Sequence, residues 1–374
     1  MEIIQEEVID GRKARRETDS ELEKLEKDQS EEDDSTQLPP TDIVSYNELR
    51  SCADIYRMYE MGQLIIPDFQ RNEIWTKPAK TRFIDSLIKQ LPIPSMCISL
   101  DHKTEERLII DGLQRISTIR DFLNIKKEYK LSSLIDIDEQ ISGKTNIQIY
   151  EKHRKLYERV QNTTLPITVI RCDKSNKNHM KYLFTIFHRL NRGGVKLTNQ
   201  EIRNCMYHGK FNDLLKNLVE DKYYRDIYKV DTEKIDRFNH EEMALRFIAF
   251  SETYEQYKGK LAMYLNEFMD SKKKISDDKI EDIRKEFIQI HKIIIEKISL
   301  PDNYSSYSKA IKEALYVGIQ RNYKSCLDKS REELNVAFDN LVSDQLFSSD
   351  SLKASLSNRD KVFERLTRAI EIFN

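Results

Sequence analysis

The chain has 374 residues, is 39% hydrophobic and 34% charged, and contains five cysteines with no C-x-x-C pair. It is long enough to bury a sizeable core in two domains, and its cysteine spacing argues against a disulfide or zinc-thiolate framework. The formal net charge of −2 hides an asymmetry: residues 1–40 carry 14 acidic and 6 basic side chains, a local net of −8, which leaves +6 on the remainder. That body is compatible with nucleic acid but lacks the strong basic stripe that would argue for it unaided.

No apolar run approaches the roughly 18 residues of a membrane span, and the first residues, MEIIQEEVIDGRKARR, lack the apolar core of a signal peptide. A cytoplasmic protein with no membrane partner and with buried, reduced thiols is expected. Residues 1–40 read as a disordered acidic tail closed by Pro39 and Pro40, because so charged a segment cannot offset its ordering entropy. An arm that covers a basic groove until DNA displaces it is the functional alternative.

From Thr41 onward the pattern is ordered. SYNELRSCADIYRMYEMG predicts a helix with Leu49, Ile55, Tyr56 and Tyr59 as its apolar positions and Gly62 at its C-terminus. A strand over Leu64–Ile66 comes next. Thr76 and Pro78 then open a helix whose buried face is Phe83, Ile84, Leu87, Ile88 and Leu91, and Met96 to Leu100 is the next strand. Between the first of these strands and that helix stand Asp68, Gln70, Arg71 and Trp75, either a polar site or a surface loop with Trp75 plugged into the core.

Arg107 to Leu123, RLIIDGLQRISTIRDFL, reads as strand, tight turn and helix. The first amides of a helix lack internal partners and favour negative charge, Gly112 permits close backbone approach, Arg115 offers a charged fork, and Asp111 is suited to a metal or a water. By local pattern alone an ordinary turn with a solvated arginine fits as well.

Residues 124–164 are polar and irregular around one amphipathic helix near Tyr150–Val160, and suggest an insertion or lid. A strand over Leu165–Arg171 leads to the helix HMKYLFTIFHRLN, with Leu183, Phe184, Phe187 and Leu190 buried, and then to NRGGVKLTNQEIRN. There Asn191, Arg192, Gly193 and Gly194 form a polar loop, able to cradle phosphate or simply to end a helix, and Thr198 with Glu201 forms a capping box. Beyond about residue 221 the pattern is helical, with Asn239 and Glu242 capping one helix and with apolar residues recurring at three and four, as in Ile280, Ile283, Phe287, Ile290 and Ile294. These faces serve an intramolecular core, with a homo-oligomer as their other use.

Four motifs, IPDFQRNEIW, LPIP, IIDGLQRISTI and FHRLNRGGVKLTNQEIRN, stand in this order. Together they resemble the N-terminal domain family of GmrSD-type modification-dependent restriction enzymes, over roughly Asp54 to Phe211. The resemblance implies an α+β fold, a ParB/sulfiredoxin-like small mixed sheet with flanking helices over 41–220, and the helical periodicity adds an all-helical domain over 221–374. It also implies a nucleoside triphosphate with Mg²⁺ as cofactors, and a role in bacterial defence against foreign DNA.

The family's D-G-Q-Q-R falls on Asp111, Gly112, Leu113, Gln114 and Arg115, with leucine in place of the first glutamine. Its Q-R and tryptophan fall on Gln70, Arg71 and Trp75, and its F-x-x-x-N-x-x-G-x-x-L on Phe187, Asn191, Gly194 and Leu197. The resemblance thus implies a candidate site with Asp111, Gln114 and Arg115 as catalytic residues and Asp111 as the metal ligand. Gln70, Arg71, Gly112, Thr118, Asn191, Arg192, Gly193 and Gly194 would contact nucleotide, with Trp75 as structural support.

Many members continue into an HNH nuclease. Here the C-terminal half offers only His240 and His291, each alone on a helical pattern, so a separate nuclease or defence-system subunit is the expected partner, with DNA. The leading reading is a nucleotide-hydrolysing sensor or regulatory subunit in which the 124–164 segment is an ordered lid released by hydrolysis. A metal-dependent nuclease or nickase acting through the same acid, and a non-catalytic DNA-binding module, are the alternatives.

Overall fold

The computed structural model describes residues 40–65, 75–190, 197–231 and 238–374, together with Glu21, Leu22 and Leu25. Backbone proximity divides the chain into two compact units. One lies within residues 35–197 and adds Asn204–Met206; the other comprises Met1–Asp34, Thr198–Arg203 and Tyr207–Asn374.

The first unit is α+β. Its sheet has the order β1-β5-β3-β4-β2, with β1 Val44–Ser51, β2 Leu64–Ile65, β3 Met96–Asp101, β4 Arg107–Asp111 and β5 Thr164–Cys172. β1 runs antiparallel to β5, β5 parallel to β3, β3 antiparallel to β4, and β4 parallel to β2. One face carries Ile98, Ile109, Leu165, Ile167 and Val169 into a single apolar cluster. The helices α1 Cys52–Glu60, α2 Lys77–Ile88, α3 Leu113–Leu123 and α5 Arg154–Asn162 supply most of the rest of that cluster. Ile119 and Phe122 of α3 are fully buried there, each contributing about 1.5–3 kcal/mol by removing apolar surface from water. Side chains alternate along a strand, so Leu108, Ile110, Ile170 and Cys172 are buried outside this cluster, and α6 Lys177–Leu190 packs against β4.

The helix expected across Ser45–Gly62 is a strand followed by a helix. β1 pairs with β5 along its whole length, and Ser51 starts α1 as its N-cap, its hydroxyl accepting from the Asp54 amide at 3.1 Å. Leu49 continues the helical period of α1 by coincidence; strand pairing overrides it, and Leu49 stands 71% exposed. Gly62 does come after the helix, with φ +67°. Thr76 caps α2 as expected, but α2 ends at Ile88 and leaves Leu91 exposed, as Leu190 is at the end of α6.

The lid expected over 124–164 is instead part of the core. Leu131, Ile137, Ile141, Ile149, Tyr157 and Val160 join the main apolar cluster. Asn146, fully buried, donates to the carbonyls of Phe122, Asn124 and Lys127 at 3.0–3.2 Å and accepts from the Tyr129 amide at 2.8 Å. One asparagine therefore does for this irregular segment what a ladder does for a strand. The helix expected near Tyr150–Val160 is two, α4 Asn146–Lys152 and α5, meeting at His153.

The second unit is helical among the described residues: α7 Asn199–Met206, shared with the first unit, then α8 Lys210–Val219, α9 Lys222–Tyr228, α10 Asn239–Thr253, α11 Leu261–Ser271, α12 Asp277–Lys297, α13 Lys309–Arg321, α14 Tyr323–Asp328, α15 Arg331–Ser343, α16 Ser349–Ser355 and α17 Arg359–Phe373. The Thr198/Glu201 capping box is present. Asn239 does not cap α10, since Phe238 holds that position in a left-handed conformation, and Glu242 instead accepts from the buried Arg203 at 2.9 Å. His291 is fully buried among Phe287, Tyr224, Tyr228 and Tyr316, and its Nδ1 lies 2.7 Å from the Phe287 carbonyl. All five cysteines are buried and unbridged. No helix among the described residues is long and apolar enough to cross a membrane. Near the N-terminus, Leu22 is buried against Ala310, Leu352 and Leu356, and Glu21 pairs with Lys353.

Candidate functional site

The β3–β4 ladder slips by one residue at its end: Ile98 faces Ile109, yet Cys97 faces Asp111. The extra residue, Ile110, makes the local irregularity of a bulge, which re-aims the side chain after it. Gly112 then turns the chain with φ +96° and ψ +11° and serves as the N-cap of α3 without any side-chain cap. A Cβ at this position would stand 2.5 Å from Met96 Cγ and 2.9 Å from its Sδ. Both the left-handed backbone and the closeness of β3 therefore demand glycine.

The first internal hydrogen bond of α3 runs from the Ile116 amide to the Gly112 carbonyl at 3.0 Å. The amides of Leu113, Gln114 and Arg115 precede it and have no partner among the described residues. Three such donors at the positive end of a helix make a ready anion cradle.

The side chains around this turn are held by one another. Arg115 Nη2 donates to Asp111 Oδ2 at 2.8 Å and to the Ser95 carbonyl at 3.4 Å, while Nη1 donates to the Pro94 carbonyl. The guanidinium is thus turned onto protein acceptors and is only 13% exposed, whereas the Asp111 side chain is 37% exposed. Burial pulls the Arg115 pKa down and the neighbouring Asp111 opposes that shift. Asp111 Oδ1 has no hydrogen-bond partner among the described residues, so half of the carboxylate remains available. Gln114 Oε1 accepts from the Trp75 amide at 3.3 Å, and the Trp75 ring packs edge-on against Phe83 at 5.6 Å.

The structure therefore gathers Asp111, Gly112, Gln114, Arg115 and Trp75 at one turn. Thr118 lies a turn deeper, fully buried, its hydroxyl donating to the Gln114 carbonyl at 2.7 Å. Gln70, Arg71, Asn191, Arg192, Gly193 and Gly194 lie outside the described residues. Phe187, from the same motif as that glycine pair, is fully buried on α6.

LPIP counts among the four motifs, yet the sequence alone assigns none of its residues to the site. In the fold its last residue, Pro94, and the next one, Ser95, clamp Arg115 through their carbonyls, and Met96 after them is the residue on which Gly112 closes. A proline-bounded segment between two predicted elements was the available signal. Cys97 also lies beside Asp111; burial and, next, the Asp111 charge push its thiol up to about 12, so it stays protonated and is no nucleophile. Among the described residues no group of three or more His, Cys, Asp or Glu side chains is placed to hold a metal ion.

Residues 52–208 match the family described as the GmrSD restriction endonuclease, N-terminal domain. Comparisons with curated proteins and with solved structures gave no match.

Proposed function

Taking residues 52–208 as a domain of the GmrSD restriction endonuclease N-terminal type, we propose that this protein is a nucleoside-triphosphate-binding and -hydrolysing regulatory subunit of a restriction-type bacterial defence system. It acts on a ParB-like framework, with DNA as partner and a separate nuclease as effector. One observation carries the reading. The unpartnered amides of Leu113, Gln114 and Arg115 open behind a left-handed glycine, beside a carboxylate with one free oxygen.

Each residue has a distinct part. The three amides bind phosphate oxygens, and Gly112 lets them approach without a side chain in the way. Asp111 is a single carboxylate, which suits Mg²⁺: that ion keeps most of its waters and is commonly held by one or two carboxylates plus the phosphates it accompanies. When bound, the ion would neutralise charge building on the transferred phosphoryl group. Arg115 fixes Asp111 Oδ2 and leaves Oδ1 for the ion or for an attacking water. Gln114 ties the turn to Trp75 by accepting from its amide.

The test is phosphate release from each of the four nucleoside triphosphates with Mg²⁺, with and without DNA, for wild type and Asp111→Asn. The substitution keeps the size of the side chain and removes its charge. Turnover in wild type that falls at least about tenfold in the variant, corresponding to about 1.4 kcal/mol of transition-state stabilisation, supports the proposal. No turnover with any nucleotide, or equal turnover in both proteins, overturns it.

A further inference from the structure

β1 lies at one edge of the sheet, and its outer side has no strand beside it among the described residues. The β1–β5 ladder fixes which way each residue faces. The Cys52 amide donates to the Thr163 carbonyl at 3.0 Å, extending the register in which Ser51 faces Thr164. Hydrogen-bonded pairs alternate along an antiparallel ladder. The even-numbered residues of β1 therefore bond to β5, and Ser45, Asn47 and Leu49 turn their N–H and C=O groups outward. These three backbones have no partner on that side among the described residues.

Long edge strands are normally guarded by proline, lysine or a bulge, because an open edge templates another strand. β1 has neither proline nor lysine, and its eight residues pair with β5 without a slip. Its two charges neutralise each other: Arg50 Nε and Nη2 donate to the two Glu48 carboxylate oxygens, each at 2.9 Å. It also carries exposed apolar side chains, with Leu49 71%, Val44 50% and Tyr46 41% exposed.

We propose that β1 pairs antiparallel with β1 of a second copy of this chain, across a two-fold axis at Leu49. Charge selects the register. With the axis at Leu49, Glu48 of each copy faces Arg50 of the other, and opposite charges directly across an antiparallel pair stabilise it. An axis at Glu48 would set the two glutamates against each other. An axis at Asn47 would place Glu48 opposite Tyr46 and leave both charges without a cross-strand partner. At Leu49 the most exposed apolar side chain of the strand meets its own copy, as an isologous contact requires.

Sedimentation equilibrium of the full chain is expected to give twice the 44.4 kDa chain mass, falling to the single mass for Leu49→Lys and for Leu49→Pro. Proline at 49 removes only an outward-facing N–H, so the ladder to β5 survives, and an unchanged circular dichroism spectrum checks this. Leu49→Cys is expected to cross-link to itself on oxidation, with no competition from the five buried native cysteines. A wild type that stays monomeric at every concentration, a dimer that persists in both folded variants, or a dimer of Leu49→Cys that does not cross-link overturns the proposal.

Discussion

Gly112→Ala isolates the geometry on which the candidate site depends. The glycine has φ +96°, where an L-residue is strained by about 1–2 kcal/mol. A Cβ would also meet Met96 Cγ at 2.5 Å and Met96 Cβ at 2.9 Å, and Met96 is itself only 1% exposed, so it has little room to retreat. Overpacking of that kind adds about 1–3 kcal/mol. The two terms give about 2–5 kcal/mol; at about 2–4 °C per kcal/mol for a domain of this size, the midpoint should fall by roughly 4–20 °C. Differential scanning calorimetry of the variant reads this directly. A cycle with Met96→Ala separates most of the packing term, because trimming the methionine removes the Cγ and Sδ contacts and leaves the Cβ contact and the backbone strain, so the pair should couple favourably by about 1–3 kcal/mol. A Gly112→Ala protein that melts with wild type would refute both the left-handed turn and the close approach of β3.

Other perturbations probe separate parts of the molecule. Asn146→Ala removes the amide that satisfies the Phe122, Asn124 and Lys127 carbonyls and the Tyr129 amide; a loss of at least about 3 kcal/mol is expected in denaturant unfolding, and a neutral result would return 124–164 to the status of a loose insertion. Arg115→Lys keeps the charge but cannot reach Asp111, Pro94 and Ser95 together, so about 1.5–3 kcal/mol should be lost, with proteolysis at the 92–95 loop as a second readout. Burial pushes the His291 imidazole down to about 4 from 6.5. The unfolded chain therefore takes up the proton first as pH falls, and stability present above about pH 6.5 declines until pH 4, by about 3 kcal/mol in all. His291→Phe should flatten the stability profile across that window, and an unchanged slope would count against a neutral buried histidine.

Features with a local cause were legible in the residues alone. The strand-glycine-helix turn at Asp111–Arg115, the Thr76 cap, the Thr198/Glu201 capping box and the three-and-four spacing of Phe287, Ile290 and Ile294 all obey short-range rules of backbone conformation and burial, and each stands in the structure. Other features depended on long-range contacts that no short stretch encodes. A helical period through Leu49 gave way to eight residues of pairing with β5, because ladder hydrogen bonds to a distant strand outweigh a weak local preference. The polar stretch 124–164 looked like a lid because its organising residue is a single asparagine, whose worth depends on carbonyls brought to it by the fold. Arg115 likewise reads in sequence as a free phosphate ligand. Its partners at Pro94 and Ser95 lie about twenty residues away along the chain, and only the sheet brings them within reach of its guanidinium.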